Sequence, residues 1–212
     1  MPTIQNIAFE ELGLRPFAET LEYQKKTRRR RQAGEIGDRV LFVEHPRVIT
    51  QGRRPADEDY RVTKPELRAQ GYDLEDADRG GKLTYHGPGQ MVAYFILSLK
   101  DRGLGIPEFV HRVETAVIAT LANFEIAAQR RDEYPGVWVK DRKIASVGFN
   151  IDREVSMNGI ALNVDPDLED FKVIVPCGIP DCEMTSMRLE RGRAFSISEV
   201  LPVFKEKVLE VL

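Results

Sequence analysis

The sequence predicts an α+β (mixed α/β) domain built around a central sheet. Short apolar runs typical of strands alternate with amphipathic helical patterns, but without a strict strand–helix–strand period. Hydrophobic residues make up 42% and charged residues 31% of the 212 residues, as in globular proteins. Neither an internal repeat nor a linker rich in Pro, Ser or Gly divides the chain. We therefore expect a single domain over residues 1–212.

The N-terminal half predicts one long helix and several short strands. The helix is expected over residues 16–33, where a run of lysines and arginines suits the negative end of the helix dipole. The apolar run 40–43 predicts a strand, and the polar segment 57–78 predicts a short helix and loops. Residues 91–99 are almost continuously apolar, which is typical of a strand buried on both faces.

The C-terminal half predicts two amphipathic helices around a hairpin. Apolar residues at three- and four-residue steps indicate a helix over residues 106–124. Residues 136–151 predict a β-hairpin that turns near position 141, and residues 159–164 predict a further strand. The last helix is expected over residues 198–212, although a proline at position 202 leaves its beginning open.

Several classes of function are excluded by composition. The net charge of −3 argues against a general nucleic-acid binder, and no run of ~18 apolar residues indicates a membrane span. The first residues lack the pattern of a secretory signal, which favours the cytoplasm. Two cysteines are too few for a disulfide framework or a four-cysteine zinc site. The three histidines show no metal-ligand spacing, so we expect neither a metal nor another cofactor.

A glycine-rich segment lies between the two halves. Residues 79–90 read R-G-G-K-L-T-Y-H-G-P-G-Q and lack both the P-loop pattern and the dinucleotide-binding pattern. Such glycines allow a positive φ or a close approach of the backbone to another group. The segment is either a cluster of structural turns or a wall that wraps a slender ligand. His86 lies within it, as a hydrogen-bonded structural residue or as a base.

Cys177 is the candidate nucleophile. Pro176 stiffens the chain before it, and Gly178 leaves space above the sulfur. A free thiol is mostly protonated at neutral pH, so a nearby cation is needed to favour the thiolate, and Lys143 is the candidate. The alternatives are that Cys177 is a small buried residue and that Lys143 is a surface charge at the end of the hairpin. The second cysteine, Cys182, lies in an acidic stretch whose charges are expected to raise its pKa.

Five ordered motifs resemble those of the octanoyltransferases, the lipoyl(octanoyl) transferase family. They cover roughly residues 20–190. The motifs are EHPRVITQG (44–52), RGGKLTYHGPGQMVAYFILSL (79–99), PGVWVKDRKIASVGF (135–149), NGIALNV (158–164) and PCGIPDCEMTSM (176–187).

The resemblance implies a mixed sheet flanked by helices, as in the catalytic domain of biotin and lipoate protein ligases. It implies that Cys177 carries the acyl group as a thioester and that Lys143 favours its thiolate. Backbone N–H groups near Gly178 or in the glycine-rich segment are candidate donors to the oxyanion. The acyl-binding walls implied by the resemblance are Arg79, Gly80, Gly81, Lys82, Leu83, Thr84, Tyr85 and His86; Ser146, Val147 and Gly148; and Gly159, Ile160 and Ala161.

The implied reaction moves an octanoyl or lipoyl group from acyl carrier protein to a lysine of a lipoyl domain. The acceptors would be 2-oxoacid dehydrogenases or the glycine cleavage H protein, and the enzyme a cytoplasmic monomer that needs no ATP. Because acyl carrier proteins are acidic, a basic docking face is expected. It would comprise the basic residues 28–31 with Arg53, Arg54, Arg79 and Lys82.

Two other functions remain open on the sequence. One is an ATP-dependent lipoate ligase of the same fold. The other is an acyl- or carrier-binding protein with reduced catalysis, suggested by Asn158, which stands where the family usually carries histidine. Asparagine still forms hydrogen bonds but does not titrate near neutral pH.

Overall fold

The computed structural model describes residues 6–54 and 57–212. This part of the chain contains ten strands and six α-helices. The strands are β1 (Ala8–Leu14), β2 (Arg39–Glu44), β3 (Val48–Gln51), β4 (Asp73–Asp76), β5 (Leu83–His86), β6 (Gln90–Ile96), β7 (Gln129–Arg130), β8 (Val137–Val139), β9 (Arg142–Asp152) and β10 (Val155–Asn163). The helices are α1 (Phe17–Gln32), α2 (Lys64–Ala69), α3 (Leu99–Arg102), α4 (Ile106–Asn123), α5 (Met187–Arg191) and α6 (Ile197–Val211).

Seven strands form a central mixed sheet in the order β1-β2-β6-β10-β9-β8-β7. β1 pairs parallel to β2, whereas the other neighbours pair antiparallel. Helices α4 and α6 cover one face through residues such as Phe109 and Phe204, and α1 covers the other through Phe17 and Leu21. Every residue of β6 is buried, which confirms the strand expected to be covered on both faces. The predicted fold class is therefore confirmed.

A second sheet of three strands, in the order β4-β3-β5, carries the glycine-rich segment. β5 pairs antiparallel to β3, and β4 pairs parallel to it. This small sheet packs on a third apolar cluster that includes Ile49, Tyr72 and Phe171. The glycine-rich segment is therefore held by strand pairing with β3 and by packing on the third apolar cluster.

The helices at 17–32, 106–123 and 197–211 and the hairpin of β8 and β9 confirm the sequence predictions. Ser196 and Glu199 form a capping box that begins α6, and the helix continues through Pro202. In the residues that the structure describes, no helix combines the length and apolar character needed to cross a bilayer.

Five of the ten described strands depart from the predictions. No strand was predicted at β1, β3 or β7, and only a short helix and loops were predicted where β4 lies. The glycine-rich segment was expected to consist of turns, but it contains β5. Residues 73–76 are polar except for Leu74, and they form a strand because they pair with the edge of β3. Within the glycine-rich segment, Gly81 and Gly89 have positive φ, and a Cβ on Gly87 would clash with the Tyr85 hydroxyl.

Candidate active site

Cys177 lies on a single 3₁₀ turn formed by Pro176–Gly178 and is half-buried. Its φ of 59° is left-handed, which costs a residue with a Cβ roughly 1 kcal/mol. Gly178 follows with a φ of 66°, and its N–H donates to Val175 O at 3.1 Å. That N–H is therefore used within the turn, so the candidate oxyanion donors are other backbone N–H groups near Gly178 or in the glycine-rich segment.

Lys143 is buried near the beginning of β9, with 2% of its surface exposed. Its Nζ lies 3.4 Å from Cys177 Sγ, so residues 34 positions apart in the chain meet. The ring of Trp138 lies beneath the ammonium, 5.4 Å from Nζ. Among residues 6–54 and 57–212, no carboxylate oxygen lies within 4.0 Å of Lys143 Nζ. The sulfur is thus the closest polar partner that the structure shows for this cation.

Backbone hydrogen bonds bring the lysine and the cysteine together. The N–H of Lys143 donates to Glu183 O at 2.8 Å, and the N–H of Thr185 donates to Lys143 O at 2.9 Å. Residues 183–185, which follow the Cys177 turn, are therefore hydrogen-bonded to the beginning of β9. Gly136 leaves room for the lysine, because a Cβ there would lie 2.5 Å from Lys143 Cε. Lys143 is consequently an interior residue, contrary to the alternative that it is a surface charge.

A narrow cavity, open to solvent at its mouth, leads to Cys177. Nine of the residues expected as acyl-binding walls line it: Arg79, Thr84, His86, Ser146, Val147, Gly148, Gly159, Ile160 and Ala161. Phe17, Val92 and Tyr94 also line it, and the sequence did not indicate them; Asn158, singled out for its departure from the family pattern but not predicted as part of the wall, lines it too. Phe17 belongs to α1, and Val92 and Tyr94 belong to β6. Neither element contains a glycine, a cysteine or a histidine that would have indicated a ligand-binding wall.

Five expected wall residues lie elsewhere. Successive side chains of a strand point to opposite faces, so β5 turns Thr84 and His86 to the cavity but Leu83 and Tyr85 to the third apolar cluster. Gly80 and Gly81 are exposed. Lys82 lies across Gly178, where a Cβ would be 2.1 Å from Lys82 Cδ, and its Nζ pairs with Asp59 at 3.1 Å. The apolar wall expected from Leu83 and Tyr85 is formed instead by the residues of α1 and β6.

Arg79 is held rigidly at the cavity. Its Nη2 donates to Thr50 O and Oγ1 at 2.9 and 2.8 Å, and its Nη1 donates to Gly80 O and Lys82 O at 3.1 and 2.9 Å. Burial lowers the pKa of Arg79, whereas the negative charge of a Cys177 thiolate raises it. The guanidinium is therefore fixed by hydrogen bonds at the wall of the cavity that Cys177 also lines.

His86 and His45 are neutral around pH 7. Burial lowers the pKa of His86 to about 3 and that of His45 to about 4. His86 Nδ1 bonds to Gln90 Oε1 at 3.1 Å, and His45 Nε2 bonds to the Tyr94 hydroxyl at 2.8 Å. These contacts favour the structural, hydrogen-bonded role for His86 over that of a base.

Cys182 differs from Cys177 in its electrostatics. The pKa of Cys182 is raised to about 11, first by burial, while the positive charge of Lys143 opposes the shift. The expected direction is confirmed, but the expected cause, the neighbouring Asp181 and Glu183, is wrong. Cys182 is therefore a protonated, weak nucleophile at neutral pH.

The chain is similar to known proteins in sequence and in fold. A family model described as the lipoyl protein ligase A/B catalytic domain matches residues 16–209. The octanoyltransferase of Chloroflexus aggregans is 40% identical over 200 residues, which cover 93% of this chain and 90% of the relative. The octanoyltransferase of Acidothermus cellulolyticus is 40% identical over 211 residues, 97% of this chain and 92% of the relative.

Solved structures share the fold at low sequence identity. A lipoate-protein ligase A bound with ATP has a TM-score of 0.80 at 18% identity and covers 98% of this chain and 85% of its own. A biotin protein ligase from Aquifex aeolicus, in complex with biotin and ATP, has a TM-score of 0.58 at 16% identity and covers 97% of this chain and 69% of its own. The expected likeness to biotin and lipoate protein ligase catalytic domains is confirmed.

Proposed function

Because the chain belongs to the lipoyl protein ligase A/B catalytic domain family and, within it, to the octanoyltransferases, we propose that it carries an octanoyl group as a thioester on Cys177. It is an acyltransferase of protein lipoylation. The proposed donor is octanoyl-acyl carrier protein, and the proposed acceptors are lysines of lipoyl domains in 2-oxoacid dehydrogenases or in the glycine cleavage H protein. The proposed setting is the cytoplasm, with the enzyme as a monomer.

The observation that carries the acyl-enzyme is the contact of Lys143 Nζ with Cys177 Sγ at 3.4 Å, at the end of a narrow cavity. A buried ammonium without a carboxylate partner stabilises a thiolate strongly, because little water screens the pair. The thiolate is the nucleophilic form of cysteine. The site therefore combines an activated sulfur with space for a slender chain.

In the first half-reaction, the Cys177 thiolate attacks the thioester carbonyl of the donor. A new carbon–sulfur bond forms, the donor's carbon–sulfur bond breaks, and the departing thiolate takes a proton from the Lys143 ammonium. One thioester replaces another, so the step is nearly neutral in free energy. Lys143 is left as a neutral amine.

In the second half-reaction, the neutral amine of an acceptor lysine attacks the Cys177 thioester. The new amide nitrogen loses its proton to the amine of Lys143, and Cys177 leaves as a thiolate. The resting pair of thiolate and ammonium is thereby restored. Amide formation from a thioester is downhill, so the cycle requires no ATP, unlike that of the alternative ATP-dependent ligase.

The acyl chain is proposed to lie between Val147, Ile160 and Ala161 of the central sheet and Phe17 of α1. Burial of an eight-carbon chain contributes about 5 kcal/mol, at about 0.8 kcal/mol per methylene. Arg79, Thr84, His86, Ser146, Gly148 and Gly159 complete the proposed binding wall. Gly80, Gly81, Lys82, Leu83 and Tyr85 are proposed to support that wall from behind rather than to touch the chain.

The proposed docking face for acyl carrier protein is smaller than the sequence indicated. Arg31 is buried against Asp38 and Asp101, so it contributes to the fold. Lys82 pairs with Asp59. Arg54 is exposed, and its N–H donates to Gly81 O, which places its backbone beside the glycine-rich segment. Arg54 is therefore the cation we propose for contact with an acidic carrier.

The acyl-enzyme is tested by weighing the intact protein after incubation with octanoyl-acyl carrier protein. We expect a single octanoyl adduct that disappears when a lipoyl domain is added, as the domain gains the same mass. Cys177→Ala removes the nucleophile and is expected to abolish the adduct and the transfer.

Cys182→Ser is the matched control, because it removes the other thiol five positions away and is expected to load at the rate of the wild type. An adduct that survives Cys177→Ala contradicts the assignment. A protein that binds the donor but never gains mass supports instead the acyl-binding alternative.

A further inference from the structure

Asn158 adopts a left-handed backbone conformation within β10. Its φ is 64°, a value that few residue types other than glycine tolerate, asparagine being one of them. β10 pairs with β9 across this position, Asn158 opposite Phe149, but its pairing with β6 begins only at Gly159. On that side the N–H of Asn158 donates to the side chain of Gln24 from α1, at 3.0 Å from Oε1. The strand is therefore locally bent, and a helix side chain replaces one rung of the ladder.

The bend directs the Asn158 side chain into the cavity that leads to Cys177. The residue is 2% exposed and lines that cavity. Its Nδ2 donates to Asp78 O at 2.9 Å. This carbonyl belongs to the peptide that joins Asp78 to Arg79, so the hydrogen bond fixes the plane from which the arginine side chain departs.

Arg79 depends on that peptide for its position. Its Cδ lies over the bare backbone of Gly148, where a Cβ would be only 3.1 Å away, and its guanidinium ends among four backbone and hydroxyl acceptors. On the solvent side, the Asp78 carboxylate pairs with Arg53. Asn158 holds the backbone carbonyl of Asp78 from the cavity side, so Asp78 is held both at its side chain and at its peptide.

We propose that Asn158 is a positioning residue for acyl loading: its amide holds the Asp78–Arg79 peptide and thereby keeps the Arg79 guanidinium against the cavity wall that Cys177 shares. The inference rests on the proposed acyl-enzyme and adds to it a residue that acts through Arg79. The amide does not titrate, so its contribution is constant around neutral pH. The backbone bend and the side-chain contact are separate properties of the position, and they are tested separately.

The test uses two substitutions that keep the left-handed backbone accessible. Asn158→Asp preserves the shape but replaces the N–H donor with an oxygen that faces another oxygen. Asn158→Gly removes the side chain altogether and relieves any backbone strain. For both we expect the rate of octanoyl adduct formation from octanoyl-acyl carrier protein to fall about tenfold, the effect of one hydrogen bond. Should the aspartate variant fail to fold, the glycine variant carries the test.

Dependence on Arg79 separates positioning from a general structural role. In an Arg79→Ala background, the same two substitutions are expected to change the loading rate less than twofold, because the group they position is absent. Asn150→Asp is the control. Asn150 is also buried, on the neighbouring β9, where its Oδ1 accepts from Arg28 outside the cavity, and we expect it to load normally.

The outcomes are distinct. Equal loading by the Asn158 variants and the wild type overturns the inference while leaving the acyl-enzyme intact. An equal loss in the presence and absence of Arg79 also overturns it, because Asn158 then acts by another route. A wild-type protein that forms no adduct contradicts the proposed function and the inference together.

Discussion

Two buried charged residues, Asp170 and Lys143, differ in how their charges are compensated. Asp170, 7% exposed, accepts from the hydroxyls of Tyr72 and Tyr85 at 2.6 and 2.5 Å and from Arg47 at 2.5 Å. Lys143, 2% exposed, has the Cys177 sulfur at 3.4 Å as its polar side-chain partner. An anion that accepts hydrogen bonds from three side chains is a rigid anchor, whereas a buried cation whose polar partner, among the described residues, is a polarizable sulfur is available for chemistry.

Substitution of Lys143 tests whether this buried cation serves the reaction rather than the stability of the fold. Lys143→Met keeps most of the length of the side chain but removes the charge. We expect the rate of acyl loading to fall about 10²–10⁴-fold, the usual contribution of a positioned proton-transfer group. We expect the melting temperature to stay the same or rise, because a buried cation no longer has to be desolvated.

Both quantities are measured on the same preparation, by intact mass and by thermal unfolding. The rate at which iodoacetamide alkylates Cys177 at neutral pH gives an independent reading and should fall as well. An unchanged alkylation rate with a markedly lower melting temperature would make Lys143 a structural residue.

The opposite result is expected for Asp170→Asn. It removes the partner of Arg47, and we expect it to lower the free energy of unfolding by about 2–3 kcal/mol, less than the roughly 3–5 kcal/mol of a fully buried pair because Arg47 is partly exposed. Loading by the folded protein should change little, since Asp170 faces away from the cavity. Urea unfolding measures the first quantity and intact mass the second.

The pH dependence gives the sign of the Asp170 contribution. Burial raises the pKa of this carboxyl, but the hydrogen bonds from Arg47, Tyr72 and Tyr85 outweigh burial and leave the pKa below its usual value of 3.8. The stabilisation is therefore present above that value and is lost as the pH falls through the lower, folded-state pKa. The difference in stability between wild type and Asp170→Asn should shrink in acid, and a difference that grows there would contradict the assignment.

The smallest effect is expected at the rim, where a charge is exposed and serves neither role. Arg54→Glu should raise the KM for octanoyl-acyl carrier protein about three- to tenfold at low salt and leave kcat unchanged. The effect should fade at high ionic strength. Arg29→Glu, in the basic run of α1, is the matched control, and an equal effect there would restore the larger docking face predicted from the sequence.

Local patterns predicted the elements that local chemistry determines. The apolar period of residues 106–123 and the continuous apolar run of β6 each fix which faces are buried, and the structure confirms both. β4 is different, because its residues Asp73–Asp76 carry no strand signal and are ordered by pairing with β3. Strands of that kind are determined by a partner far away in the sequence.

The residue types of the candidate site could be predicted from the sequence, but the directions in which their side chains point could not. The motifs brought Cys177 and Lys143 forward, yet only the fold shows that the lysine is interior and next to the sulfur. The glycine-rich segment suggested a continuous wall, but β5 sends alternate side chains to opposite sides. Asn158 departs from the histidine that the family usually carries, and the sequence shows this departure. Its contact with Asp78 depends on a bend in β10 that no local pattern indicates.

Gly136 shows how much of this enzyme depends on a missing methyl group. The chain passes so close to Lys143 that any side chain at position 136 would occupy the space of the lysine stem. A protein altered there would retain both reacting groups, yet the amine would be pushed out of register with the sulfur. A search for the reactive residues alone would classify such a variant as an active enzyme. Whether a related sequence is active therefore has to be judged also from small residues such as this glycine.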